Sequence, residues 1–387
     1  LDTDLPIRSR NGWSLVRMGR LVTRNVIANL GSRRWAPAGP IGSGGKPIVG
    51  CGAGTSLDSA IPELLRDRDS VFILACDTAA GALAASGIFP DAVVCLEGQV
   101  YNLEDFLPLE NASVRLVADL TAHPSSFRAV RTASVTLTLS EWTESAFLRR
   151  LVASGLPVAL VPPLGSVGVL AARLAGMMGG PVIVAGLDFT FPQGRTHCKG
   201  SPADLRARRL ETRTEKRSAA WASSFHAGSV RIGDGSIIDP ALSMYAKLAS
   251  SELGAVEGYD LRGGFGAALP LRPMPPGGLG AIAAAASSGD ADKSRTAIIG
   301  ASLDAETCRN RAEEFLRAEL GRVDAVSAAL RQGMDGTGLK ALLSDADFLY
   351  AHFPDPERVP ALEEDALKRV AAECAYWRGR LAAAIGD

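Results

Sequence analysis

Seven short apolar runs constrain this chain more than any other feature, at residues 47–50, 70–76, 92–96, 114–118, 134–139, 158–161 and 181–186. Most are continuous rather than alternating, so both faces of each strand must be covered. Stretches of helical periodicity separate several of them, at 59–66, 79–86, 144–153 and 167–178. Strand–helix alternation with two-sided burial predicts an α/β fold: a Rossmann-like, mostly parallel sheet with helices on both faces. In such sheets ligands bind beyond the carboxyl ends of the strands. Gly50, Asp77, Glu97 and Gly186-Leu187-Asp188 close predicted strands and are expected along that edge.

The first run ends in three alternating glycines, Gly50, Gly52 and Gly54, followed by Thr55, Ser56 and Asp58. Strand, glycine turn and helix start in that order can build an anion site. Glycine lets backbone approach a phosphate, and the first helical N–H groups point at it. Thr55, Ser56 and Asp58 are all competent N-caps. A tight strand-to-helix turn without a ligand would read the same way. The spacing matches neither the dinucleotide fingerprint, since Leu57 stands where its third glycine belongs, nor a P-loop, since no Gly-Lys-Ser/Thr follows.

Composition narrows the class. The chain has 387 residues, 47% of them hydrophobic, and a net charge of −1. That length suggests two or three domains, and the charge argues against a nucleic-acid or anionic-membrane partner. No run reaches the length of a bilayer span. Six scattered cysteines without a CxxC pair fit a reduced, cytoplasmic setting better than disulfides or zinc. Leu1 in place of methionine suggests a piece of a longer protein.

The predicted organisation has four parts. Residues 1–46 form a basic helical lead-in, packed on the next domain or steering phosphate. Residues 47–267 form the nucleotide-binding domain. Residues 268–295, rich in Pro, Gly and Ala, read as a linker. Residues 296–387 form a C-terminal helical hairpin or bundle, with a long helix over 304–334. Its last helix carries Leu362, Leu367, Val370, Cys374, Trp377, Leu381 and Ile385 on roughly one face, which serves internal packing or a partner, a second copy included. The basic stretch 191–217 is either a solvated face or a lid over an anionic ligand.

Four stretches taken together resemble one family. They are Gly52, Gly54, Ser56 and Leu57; Gly87, Ile88, Pro90 and Asp91 followed by Glu97; Gly165-Ser166-Val167-Gly168; and Gly186-Leu187-Asp188, with His197 nearby. The set is similar to the MptE-like domain, whose members include 6-hydroxymethylpterin diphosphokinases and the bacterial motility-associated factor (Maf) glycosyltransferases. Gln99 and Asn102, together with the run from Arg20 to Asn29, resemble the Maf branch. Two positions depart from the family pattern: Thr55 replaces a proline, and Glu97 stands where aspartate is usual.

The resemblance implies transfer of a nonulosonic, sialic-acid-like sugar from a CMP donor to Ser or Thr of flagellin. The implied donor site comprises Gly52, Gly54, Thr55, Ser56, Asp77, Thr78, Glu97, Gln99, Asn102, Gly165, Ser166 and Gly186. In it Gly52, Gly54 and Ser56 hold phosphate, Asp77 and Thr78 face ribose or base, and Ser166 begins a second helix N-terminus. The transfer needs a base for the acceptor hydroxyl. His197 is the first candidate, because histidine titrates near working pH, although a loop histidine is equally compatible; His226 is the reserve. Asp188 either joins catalysis and donor binding or caps its own turn. No cofactor beyond the CMP-sugar is then required. The second branch implies Mg²⁺-dependent pyrophosphate transfer from ATP to a pterin-type alcohol, with Asp91, Glu97 and Asp188 on the metal. A third reading is a non-catalytic module that recruits a partner.

Overall fold

The computed structural model describes residues 4–31, 37–110, 112–132, 134–141, 145–216, 227–288, 299–334 and 336–386. After a lead-in helix α1 (Asp4–Leu30), strands and helices alternate: β1 (Ile48–Cys51), α2 (Leu57–Arg66), β2 (Phe72–Cys76), α3 (Asp77–Ala85), β3 (Ala92–Cys95), α4 (Leu103–Phe106) and β4 (Arg115–Asp119). They continue as α5 (Pro124–Ala129), β5 (Val135–Ser140), α6 (Ala146–Ala153), β6 (Val158–Val161), α7 (Val167–Met177), β7 (Val182–Ala185) and α8 (Pro202–Leu210). A small antiparallel pair, β8 (Val230–Arg231) and β9 (Ile237–Ile238), precedes α9 (Pro240–Leu253), β10 (Gly258–Asp260), β11 (Arg272–Pro273) and α10 (Gly278–Ser288). Helices α11 (Ala305–Gln332), α12 (Gly336–Asp345) and α13 (Glu364–Gly386) end the chain.

Nine strands form one sheet in the order β11-β10-β7-β1-β2-β3-β4-β5-β6. Every pairing in it is parallel. The seven apolar runs became β1 to β7, and β1, β2, β3 and β7 are buried along their whole length. This is the two-sided burial that continuous apolar runs require. The chain steps outward from β1 to β6, then returns to place β7 on the other side of β1. The strand order therefore reverses between β1 and β7, the position where open α/β sheets most often hold a ligand.

The segment 268–295, read from composition as a linker, instead contains β11 and all of α10. Leu279, Ile282 and Ala283 of α10 are buried, and the Leu279 N–H donates to Glu63 Oε1 of α2 at 2.8 Å. Small residues here allow close packing, a use that shares its composition with loops. Residues 289–298 lie outside the described residues.

The C-terminal helices are docked on the sheet domain. Asp304 caps α11 by accepting from the Thr307 N–H at 2.8 Å, and Gly333 closes it in the left-handed conformation, as the sequence predicts. Asp347 accepts from the Ala146 N–H at 2.6 Å and so caps α6 from across the boundary. The Arg150 guanidinium grips the fully buried Glu319 carboxylate through two bonds, 2.7 and 2.8 Å. Phe147 of α6 packs on Phe315 and Phe348, and Phe348 packs on the buried Trp377. Among the described residues no helix is long and apolar enough to cross a membrane, and all six cysteines are free and buried.

Candidate functional site

The glycine turn after β1 is closed by its neighbours. The Gly52 N–H donates to Ala185 O at 2.8 Å, and the Gly54 N–H donates to Gly186 O at 2.7 Å. The Ser56 N–H donates to Asp188 Oδ2 at 2.9 Å, while the Ser56 hydroxyl donates to Asp188 Oδ1. At the start of α2, the Leu57 and Ser59 N–H groups turn back to Gly54 O and Ser56 O. No side-chain bond from Ser56 caps that helix. Asp58 accepts from the Lys199 N–H at 2.9 Å and pairs with Arg195 at 2.6 Å.

The glycines serve close packing between two turns. A Cβ on Gly52 would sit 3.0 Å from the Gly186 carbonyl carbon, and Gly186 itself has φ +65. This corrects the expectation that Gly52, Gly54 and Ser56 present open donors to a phosphate: their N–H groups already have acceptors, so the crevice at the β1–β7 switch is filled by protein. Thr55, Gly186 and Asp188 are buried in the same knot. Burial, opposed by the Ser56 hydrogen bonds, raises the Asp188 carboxyl above its ordinary range.

The open space lies one to four strands from β1, beyond the carboxyl ends of β2 to β5. A cavity of about 840 Å³ is lined there by Asp77, Thr78, Glu97, Gln99, Tyr101, Asn102, Asp105, Thr121, Ser140, Gly165, Arg206 and Tyr245, with Met18 and Val22 of α1 closing one side. That volume is within the roughly 300–1,000 Å³ of small-molecule sites. Of the predicted binding residues, Asp77, Thr78, Glu97, Gln99, Asn102 and Gly165 meet here. Ser166 sits at the start of α7, between the lining residues Gly165 and Val167.

Two charge features define the cavity. Helix α7 begins at its wall without a side-chain cap, so the positive end of an 11-residue helix faces the space. The second is a set of three carboxyl groups, Asp77, Asp105 and Glu97, negative only when ionised. Burial, then the charge of Asp105, pushes the Asp77 carboxyl up to about 8. Burial, then Glu104, pushes Asp105 up to about 7, with Arg206 pulling the other way. Glu97 is exposed and accepts from the Gln99 N–H at 2.8 Å. Asp77 Oδ1 accepts from the Thr78 N–H at 2.9 Å, which fixes the start of α3.

Arg206 reaches the cavity from α8 and pairs with Glu104 at 2.6 Å. The basic stretch thus places at least one cation at the mouth. His197 is not among the lining side chains. Its ring is bonded to the Thr196 hydroxyl at 2.9 Å, and burial, then the charge of Arg206, lowers its pKa. His226 lies outside the described residues.

The carboxylates proposed for a magnesium ion do not share a site. Asp91 precedes β3 at the amino edge, where it pairs with Arg68 at 3.0 Å and accepts from the Ile73 N–H at 2.8 Å. Glu97 follows β3 at the opposite edge, and Asp188 is held by Ser56. The three therefore do not fit one metal, and among the described residues no group of three His, Cys, Asp or Glu side chains converges on one.

Sequence reasoning missed Asp119, Thr121 and Ser140. Asp119 ends β4 fully buried and accepts from the Thr121 N–H (2.9 Å), the Thr121 hydroxyl (2.6 Å), the Thr138 hydroxyl (3.3 Å) and the Ser140 hydroxyl (2.9 Å). A signal existed: the fourth apolar run closes on an aspartate, as the second closes on Asp77. The lead-in helix was expected to pack on the next domain, but not to hold particular turns. Asn25 donates to Gly98 O (2.9 Å) and Thr121 O (3.0 Å), and Asn29 donates to Leu120 O and Ala122 O, both at 2.9 Å. The lead-in helix thus pins the two turns that come after β3 and β4.

Comparison with known proteins agrees with this architecture. Residues 24–194 match the family model described as 6-hydroxymethylpterin diphosphokinase MptE-like. An uncharacterized protein of Treponema pallidum (strain Nichols) is 36% identical over 200 residues, a match covering 49% of this chain and 34% of that protein. The chain therefore spans about a third of the length of that curated relative. The solved structure of the Maf glycosyltransferase from Magnetospirillum magneticum AMB-1 superposes with a TM-score of 0.51 at 16% identity, covering 94% of this chain and 54% of that one. The MptE-like match begins inside α1 and runs past Asp188, so it takes in Asn25, Asn29, the cavity strands and the closed glycine knot. Residues 24–194 are thus similar to the MptE-like family, and the fold of the chain is similar to that of a Maf glycosyltransferase.

Proposed function

We propose that this chain is a glycosyltransferase of the Maf kind, taking a nonulosonic sugar from a CMP donor to a serine or threonine of flagellin or a related protein. The observation that carries this reading is the cavity at the carboxyl ends of β2 to β5, of nucleotide-sugar size, with the uncapped start of α7 at its wall. The shared fold with a Maf glycosyltransferase supports it.

In this reading the donor phosphate lies at the start of α7, where backbone dipoles stabilise the charge that builds up as the nucleotide leaves. Gln99, Asn102 and Thr78 supply polar contacts to ribose and base. Asp77 and Asp105, whose pKa values burial raises to about 8 and about 7, are poised to take a proton from the acceptor hydroxyl. They stand in the cavity itself, which makes them stronger candidates than His197 or Asp188. Arg206 sits at the mouth to meet the anionic sugar.

Thermal shift with CMP, CTP, ATP and GTP, each with and without Mg²⁺, tests the reading, because a ligand of the native state raises the melting temperature by mass action. Stabilisation by cytidine nucleotides without metal is expected. Stabilisation by ATP only with Mg²⁺ would instead favour the diphosphokinase chemistry of the family description, and no response to any nucleotide would leave a partner-binding module.

A further inference from the structure

Asp119 is a buried carboxylate with no direct part in lining the cavity, yet its hydrogen bonds decide the polarity of two groups that do. Thr121 and Ser140 line the cavity, and both hydroxyls point their protons at Asp119, at 2.6 and 2.9 Å. The Thr121 N–H and the Thr138 hydroxyl fill the remaining positions around the same carboxylate. Asp119 and Thr138 are register partners across β4 and β5. Ser140 stands two residues beyond Thr138 in β5, so the strand's period of two puts both on one side, while Thr121, in the turn just past β4, is brought back to Asp119 by its own N–H and hydroxyl.

A hydroxyl has one proton and two lone pairs. With the proton committed to a buried carboxylate, each hydroxyl presents only lone pairs to the cavity. Rotating one round to donate to a ligand would strip a buried carboxylate of a hydrogen bond, which is costly. The Thr121 main chain is fixed as well, because its carbonyl accepts from Asn25.

We infer that Asp119 is a positioning residue that makes Thr121 and Ser140 an acceptor-only subsite, selecting ligands that present an N–H or O–H donor there. This rests on the proposed nucleotide-binding reading and deepens it. The donor is either the exocyclic amine of a base or a ribose hydroxyl. A carbonyl in the same place would oppose lone pairs to lone pairs, and a deleted hydroxyl would leave both acceptors unmatched.

Calorimetric titration of the full chain with CMP, UMP, 2′-deoxy-CMP and 3′-deoxy-CMP tests it. The wild-type protein is expected to bind CMP and to lose about tenfold or more in affinity for one analogue. A loss confined to UMP identifies the amine; a loss confined to a deoxy analogue identifies that hydroxyl. In Ser140→Ala and Thr121→Val the gap should shrink to about twofold, since deleting an acceptor removes the basis for discrimination. Asp119→Asn, whose amide donates where the carboxylate accepted, should also narrow the gap, by releasing a hydroxyl proton toward the ligand. Equal binding of all four nucleotides by the wild-type protein, or a gap that survives unchanged in both Ser140→Ala and Thr121→Val, overturns the inference while leaving CMP binding intact. Failure of CMP itself to bind overturns the nucleotide reading and this inference together.

Discussion

Asn102 Nδ2 donates to Asp77 Oδ2 at 2.8 Å, in a hydrogen bond buried between the start of α3 and the turn after β3. The same carboxyl has the most strongly raised pKa of the carboxyl groups lining the cavity, about 8 against about 7 for Asp105, raised first by burial and then by the charge of Asp105.

Stability should fall as pH rises through the range set by Asp77. An unfolded aspartate releases its proton near 3.8, and folded Asp77 near 8. Between those values the folded protein holds the extra proton, so each step up in pH favours unfolding. Asp77→Asn carries no charge to desolvate. Melting temperatures at pH 5, 7 and 9 should decline less in Asp77→Asn than in the wild-type protein; parallel curves would remove Asp77 as the cause.

Binding of an anionic nucleotide should follow the same protons. As Asp77 and Asp105 ionise, around pH 8 and 7, they add negative charge beside the phosphate. CMP affinity should weaken from pH 6 to pH 9, and Asp105→Asn should flatten that dependence. A pH-independent dissociation constant would place the phosphate elsewhere.

Gly54→Ala should destabilise the fold whether or not nucleotide is present. Its Cβ would come within 2.6 Å of Gly186 O and would also strike the Asp188 carboxylate. Overpacking of this kind costs about 1–3 kcal/mol. Chemical denaturation should show the loss without ligand; full stability combined with lost CMP binding would restore the glycine turn as a phosphate site.

Asp188→Ala should behave as a structural lesion. It leaves the buried Ser56 N–H and hydroxyl without their acceptor, at a cost of about 2–3 kcal/mol. A variant that keeps wild-type stability and loses only turnover would return Asp188 to the chemistry.

Asn25→Ala should loosen the turns after β3 and β4 together, since one amide holds the Gly98 and Thr121 carbonyls. Lower stability, by about 1–3 kcal/mol, and weaker CMP binding are expected in the same variant. Weakened stability with unchanged CMP affinity would separate α1 from the site.

The parallel sheet was legible because continuous apolar runs have few other solutions. All seven runs became strands within one or two residues of their expected positions. The caps of α11, Asp304 and Gly333, were legible for the same local reason. Strands β10 and β11 were not, since a three-residue and a two-residue strand carry too little pattern to stand out from a glycine- and proline-rich stretch. Helix α10 was hidden by its small residues, whose burial against α2 is a tertiary matter.

At the site, the apolar pattern alone reveals which residues stand at strand ends, because the runs stop at Gly50, Cys76, Cys95 and Ala185 or a residue later. It does not reveal which of those ends stay open. Only the return of β7 beside β1 brings Gly186 and Asp188 onto the Gly52–Ser56 turn, where they take up its N–H groups and fill the crevice. That closure leaves the space to β2 through β5, and there long-range contacts set the charge of Asp77, the direction of the Thr121 and Ser140 protons, and the placement of α1. Local pattern decides where a strand ends; whether its terminal donors meet protein or ligand depends on partners more than a hundred residues away.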